Sequence, residues 1–198
     1  MNTENLRILI SRLTAAVLML VGVLAGTNTA AQAAPPAPVG VTSTYVCSNS
    51  PIPPGWVILS SAHNSSCVTG IRNYIADATY ESALYVCSDS PIPSGWVITG
   101  SANNSSCVTG VRNYIIKLSG QTELYVCSNS PIPSGWVISS SANNSSCVTG
   151  VRNYLTKITG QTALYVCSNS PIPSGWVINS SANNSSCVTG TRYYITKL

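Results

Sequence analysis

YVCSNSPIPSGWVISSSANNSSCVTGVRNYLTKI, from Tyr125 to Ile158, is the stretch on which the fold turns, because close copies of it begin at Tyr45, Tyr85 and Tyr165. The period is 40 residues, a 34-residue unit followed by a six-residue connector such as Ser119–Leu124. A repeat of that length points to stacked units, each too small to bury its own hydrophobic face. Units 3 and 4 differ at only five positions, namely Ser139/Asn179, Val151/Thr191, Asn153/Tyr193, Leu155/Ile195 and Ile158/Leu198. Unit 1 is the most divergent, with Pro54, His63 and Ala76-Asp77-Ala78 where later units carry Ser, Asn and residues such as Ile116-Lys117-Leu118.

Within a unit the pattern reads as all-β. Short strands are expected at Leu124–Cys127, Trp136–Ser139 and Arg152–Ile158, where β-branched and aromatic residues alternate with polar ones. No segment carries a helical period with caps. Between the first two strands, Pro53-Pro54-Gly55-Trp56 suits a type II turn with glycine at positive φ, and Ser-Gly in later units can adopt the same turn. That places each Trp at the start of the second strand. The expected architecture is four tandem disulfide-stapled repeats of about three short strands, either an open array or solenoid or a closed propeller-like assembly. Its boundaries are 45–84, 85–124, 125–164 and 165–198.

Eight cysteines stand at 47, 67, 87, 107, 127, 147, 167 and 187, every twentieth residue. An even count at regular spacing implies disulfides, and C-x-x-C pairs that would favour zinc are absent. Pairing within units gives Cys47–Cys67, Cys87–Cys107, Cys127–Cys147 and Cys167–Cys187. The competing scheme joins the second Cys of one unit to the first of the next, for example Cys67–Cys87, and needs a ring for Cys47 to meet Cys187.

Residues 1–33 read as a secretory signal. Arg7 and Arg12 precede a 13-residue, largely apolar run from Leu13 to Ala25 that is too short to span a bilayer comfortably, and Ala31-Gln32-Ala33 fits a cleavage site. The Pro-rich lead-in 34–44 follows as a tether. Without the signal, seven basic residues oppose four acidic ones, a net charge of +3 spread along the chain. No dense basic patch is present, so nucleic acid is not an expected partner. Membrane insertion after signal removal is not expected either.

Any chemistry repeated four times must use what the repeat contains. No His or carboxylate recurs, and His63 is the sole histidine. General acid–base work and a base-activated serine both lack their partners, so the expected protein is not an enzyme and holds no metal or cofactor. Each unit does carry groups suited to binding. The candidates are Trp56, Trp96, Trp136 and Trp176, with Arg72, Arg112, Arg152 and Arg192 and with Tyr74, Tyr114, Tyr154 and Tyr194. Aromatic faces stack on sugar rings, and arginine offers a planar fork of donors. The competing assignment puts each Trp in the core of its unit beside the disulfide, with Tyr packed next to it and Arg at the sheet edge. Asn-Ser-Ser triplets at Asn64, Asn104, Asn144 and Asn184 fit the N-glycosylation pattern. The leading expectation is a secreted, multivalent binder of a glycan or cell-surface polymer. A structural or matrix repeat protein is the alternative, and a secreted inhibitor or toxin presenting the Pro-Ile-Pro loop is the third.

Overall fold

The computed structural model describes residues 42–198. The signal segment 1–33 and most of the lead-in lie outside the described residues. Each unit is one three-stranded antiparallel sheet. Unit 1 contains β1 (Ser43–Cys47), β2 (Trp56–His63) and β3 (Ile71–Asp77). Unit 2 contains β4 (Ala83–Cys87), β5 (Trp96–Asn103) and β6 (Val111–Lys117). Unit 3 has β7 (Glu123–Cys127), β8 (Trp136–Asn143) and β9 (Val151–Lys157), and unit 4 has β10 (Ala163–Cys167), β11 (Trp176–Asn183) and β12 (Thr191–Lys197). The third strand of each unit lies in the middle, in the order β1-β3-β2 and its equivalents.

The turn expected before each Trp is present. The Trp136 amide donates to the Pro133 carbonyl at 3.1 Å, and Gly135 holds φ at 79°. A Cβ at that φ would be strained, which is why glycine stands there. The second strand, however, is twice the expected length. It runs past Ser139 to Asn143, through residues that look like loop on composition. A bulge between Ile138 and Ser140 admits Ser139 as an extra residue, and pairing then resumes as Ser140↔Tyr154 and Ser141↔Asn153. The polar tail is held extended by that pairing with the central strand, in β11 of unit 4 as in the other units, which leaves its outer edge open to a further partner.

That edge is satisfied by the next unit. The amides of Ile58, Ile98 and Ile138 donate to the hydroxyls of Ser90, Ser130 and Ser170 at 2.8, 2.9 and 2.9 Å. Further along, the Ser61, Ser101 and Ser141 amides donate to the carbonyls of Ser106, Ser146 and Ser186 at 2.9, 2.7 and 2.8 Å. An edge strand presents unpaired amides, and here a neighbour's turn and disulfide loop cover them.

All four disulfides close within units, Cys47–Cys67, Cys87–Cys107, Cys127–Cys147 and Cys167–Cys187. The apolar packing, by contrast, crosses unit boundaries. The core of unit 2 gathers Val86, Trp96, Ile98 and Ile115 with Val57 and Ala78 from unit 1 and the Cys127–Cys147 disulfide from unit 3. Unit 3 repeats the scheme with Val126, Trp136, Ile138 and Leu155, Val97 from before it, and Cys167 and Cys187 from after it. In unit 1, Ile58 and Ile75 pack on the Cys87–Cys107 disulfide of unit 2. Each staple after the first therefore roofs the core of the preceding unit. Strand contacts between units are β2–β4, β5–β7 and β8–β10, and none joins unit 4 back to unit 1 among the described residues. The array is open, and the ring alternative is set aside.

Two stability outcomes follow from this sharing. Every disulfide spans 20 residues, so the chain-entropy gain, about 3 kcal/mol, is the same for each. Replacing Cys127 and Cys147 by alanine should nevertheless cost more than replacing Cys47 and Cys67, because only the former pair covers another unit's core. Denaturant unfolding of the two double variants measures the difference. Ser130→Ala strands the buried Ile98 amide and should cost roughly 1–3 kcal/mol. Ser50→Ala has no preceding unit to serve and should fall within about 0.5 kcal/mol of wild type. Equal losses from the two serine variants would contradict this account of the junctions.

Candidate functional site

The central strand decides which side chains can meet. Residues two apart on a strand share a face, so Arg152 and Tyr154 of β9 project together. Antiparallel register sets Tyr125 of β7 opposite Tyr154 and Cys127 opposite Arg152, with Ala142 of β8 on the other side. One face of the unit thus carries two tyrosines and an arginine beside the staple. The opposite face carries Val126, Asn153 and Leu155, which are buried.

The same constellation occurs in every unit. Ring centroids of Tyr45–Tyr74, Tyr85–Tyr114, Tyr125–Tyr154 and Tyr165–Tyr194 lie 4.9, 4.8, 4.7 and 5.0 Å apart, tilted by 42–47°. The guanidinium carbons of Arg72, Arg112, Arg152 and Arg192 sit 4.2, 4.2, 4.3 and 4.2 Å from the centroids of Tyr45, Tyr85, Tyr125 and Tyr165. Stacking on the ring's negative face fixes the plane of the guanidinium. Nε of Arg112, Arg152 and Arg192 is buried without a hydrogen-bond partner, so the accessible donors are those of the terminal nitrogens. The leading tyrosines are 59, 52, 52 and 51% exposed despite these contacts.

The sequence candidates divide between the two faces. Arg72, Arg112, Arg152 and Arg192 and Tyr74, Tyr114, Tyr154 and Tyr194 are brought together on the face that carries the staple, half-buried apart from the exposed Arg72. Trp96, Trp136 and Trp176 are buried instead, and Trp56 packs half-buried at the margin of the unit 1 core. Strand alternation accounts for this. Trp136 lies opposite Lys157 on the face that carries Ile138 and Leu155, and so meets the neighbouring unit rather than solvent. Tyr45, Tyr85, Tyr125 and Tyr165 were not among the sequence candidates. Their position as the first residue of each repeat gave no hint of function, and only the strand register pairs them with the second tyrosine.

The units are not electrostatically identical. Position 123 pairs with Thr156 at the edge of the ladder and is Glu in unit 3, while Ser43, Ala83 and Ala163 occupy it elsewhere. The Tyr154 hydroxyl donates to the Glu123 carboxylate, which holds the phenol above its ordinary ionisation range. The Tyr74 and Ser43 hydroxyls share a hydrogen bond of 2.7 Å. Alanine at 83 and 163 offers no such partner to Tyr114 and Tyr194.

Other features are less suited to chemistry. His63 ends β2, exposed, where the later units have asparagine. Asn144 Oδ1 accepts from the Ser146 amide at 2.9 Å, and the same turn closes the loops at Asn64, Asn104 and Asn184. These asparagines therefore shape the loop ahead of each second cysteine. A groove of about 160 Å³ between units 2 and 3 is lined by Ser101, Ala102, Asn103, Ser145 and Val148. That is smaller than the roughly 300–1,000 Å³ of pockets that enclose small ligands. Comparison of the chain with family models, with curated proteins and with solved structures finds no match.

The division of aromatics makes a direct prediction. Trp136→Ala should cost about 3–5 kcal/mol, as expected for a buried aromatic. Tyr125→Ala should cost only about 1–2 kcal/mol, the worth of an exposed ring pair and a cation–π contact. Urea denaturation of the two variants separates them, and comparable losses would put Tyr125 in the core after all.

Proposed function

We propose that this protein is an exported, non-enzymatic, multivalent binder of a glycan or cell-surface polymer, and that it grips through the Tyr–Arg–Tyr cluster of each unit. One observation carries the reading: four half-exposed tyrosines, each braced by an arginine and a second tyrosine, repeat in the same strand positions along an open array. Aromatic rings held on strands lose little entropy on stacking against the apolar face of a sugar. A guanidinium fixed in plane offers paired donors to adjacent hydroxyls or to a carboxylate. A long ligand can engage several clusters, which suits weak individual sites. Export is supported by the signal-like residues 1–33 and by four disulfides, which persist in oxidising surroundings.

A second reading, a structural repeat protein of an extracellular matrix, is favoured by the shared cores alone, since these give length and durability without any ligand. Pull-down of the exported chain on insoluble polysaccharides and isolated cell walls distinguishes the two. The binder is retained on at least one of them, and its apparent affinity exceeds that of a variant with three leading tyrosines changed to alanine by about 100-fold, the lower range of avidity gains. No retention on any polymer, or retention indifferent to the loss of all four tyrosines, leaves the structural reading.

A further inference from the structure

Four nearly identical units allow unit 4 to be compared with the three before it. Ile58, Ile98 and Ile138 are 3, 3 and 1% exposed beneath the following unit, whereas Ile178 of β11 is 48% exposed. Unit 4 keeps the other parts of the junction, including Val177, Ser181 and Ile195. Unit 1 keeps the complementary parts, namely Ser50, Ser66, Val68 and the Cys47–Cys67 disulfide. By these residues a second copy of the chain could stack its unit 1 on unit 4, and such a head-to-tail contact would not close.

One position breaks the match. Asn73, Asn113 and Asn153 lie at the middle of the central strand, opposite Ser61, Ser101 and Ser141, and are 4, 1 and 2% exposed under the following unit. The Asn113 side-chain oxygen accepts from Ser101 at 3.0 Å, while those of Asn73 and Asn153 are buried without a partner. Unit 4 has Tyr193 there, opposite Ser181 and Val166. Tyr193 is half-buried and packs on the cluster of Val166, Trp176 and Ile195, which Val137 of unit 3 joins from the other side.

We propose that Tyr193 blocks stacking on unit 4. It packs on that unit's core from within and occupies the space that a stacking unit needs, so a second copy does not seat its unit 1 on β11 and β12. The polar Asn179, at the bulge where unit 3 has Ser139, is exposed on the same strand. Terminal units of stacked repeats need such a cover, because an open edge over an exposed core invites association.

The test places the tyrosine inside the array and takes it away from the end. Asn153→Tyr should unseat unit 4. We expect the thermal midpoint to fall by roughly 5 °C or more, as for an overpacked interior, with Trp176 becoming accessible to acrylamide. Tyr193→Asn should turn a chain that sediments as one species into one whose mass rises with concentration, and adding Ile178→Glu should reverse the change. An Asn153→Tyr chain as stable as wild type would overturn the proposal, because tyrosine would then fit beneath a stacked unit. So would a wild-type chain that already assembles end to end, or a folded Tyr193→Asn chain that stays a single species at the highest concentration reached.

Discussion

The structure depends on the packing of each disulfide after the first against the core of the unit before it. A unit of 34 residues cannot bury enough apolar surface to fold unaided. Its staple lowers the entropy of the unfolded chain, but it also completes the neighbour's interior. Cys127 and Cys147 lie with Trp96, Ile98 and Ile115 of unit 2, and Cys167 and Cys187 lie with Trp136, Ile138 and Leu155 of unit 3. The covalent bond is local and the packing is not. Stability in such an array is a sum of unit terms and nearest-neighbour terms, and here one side-chain pair contributes to both.

This sharing also explains the chain's unusual chemistry. Charged residues make up only 7% of the sequence, against about a quarter in a typical soluble domain. Serine and asparagine take over much of the polar role. Ser90, Ser130 and Ser170 are buried acceptors for a neighbour's amides, not surface decoration. A hydroxyl suits that position because it satisfies an edge amide without bringing a charge into a closed junction. With junctions built this way, the face that carries the staple also holds a half-buried arginine and tyrosine, with the leading tyrosine exposed to solvent.

Much of this was legible in the residues. The 40-residue period, the twenty-residue cysteine spacing and the Pro-x-Gly turn before Trp each encode a local constraint, and each appears as expected. The second strand outruns its expected span, because Ser140–Asn143 has the composition of a loop and is held extended by its pairing with the central strand across the bulge. Where the binding candidates sit was only partly legible for a related reason. Arginine and the second tyrosine were recognisable, but whether Trp136 faces core or solvent depends on the register of β8 against β9, a non-local fact. The same register brings Tyr125 beside Tyr154. Tyr193 is one of five differences between units 3 and 4, and it takes its meaning from the burial of Asn153.

The central claim is that a staple in one unit stabilises the unit before it. Native-state hydrogen exchange on a chain lacking only the Cys127–Cys147 disulfide tests this directly. The amides to follow are those of Ile98 and Ser101 in unit 2, which donate to Ser130 and Ser146 of unit 3. The account predicts that both lose protection by about 100-fold or more, the equivalent of roughly 3 kcal/mol, together with the amides of unit 3 itself. Loss of protection confined to unit 3, with Ile98 and Ser101 unchanged, would contradict it.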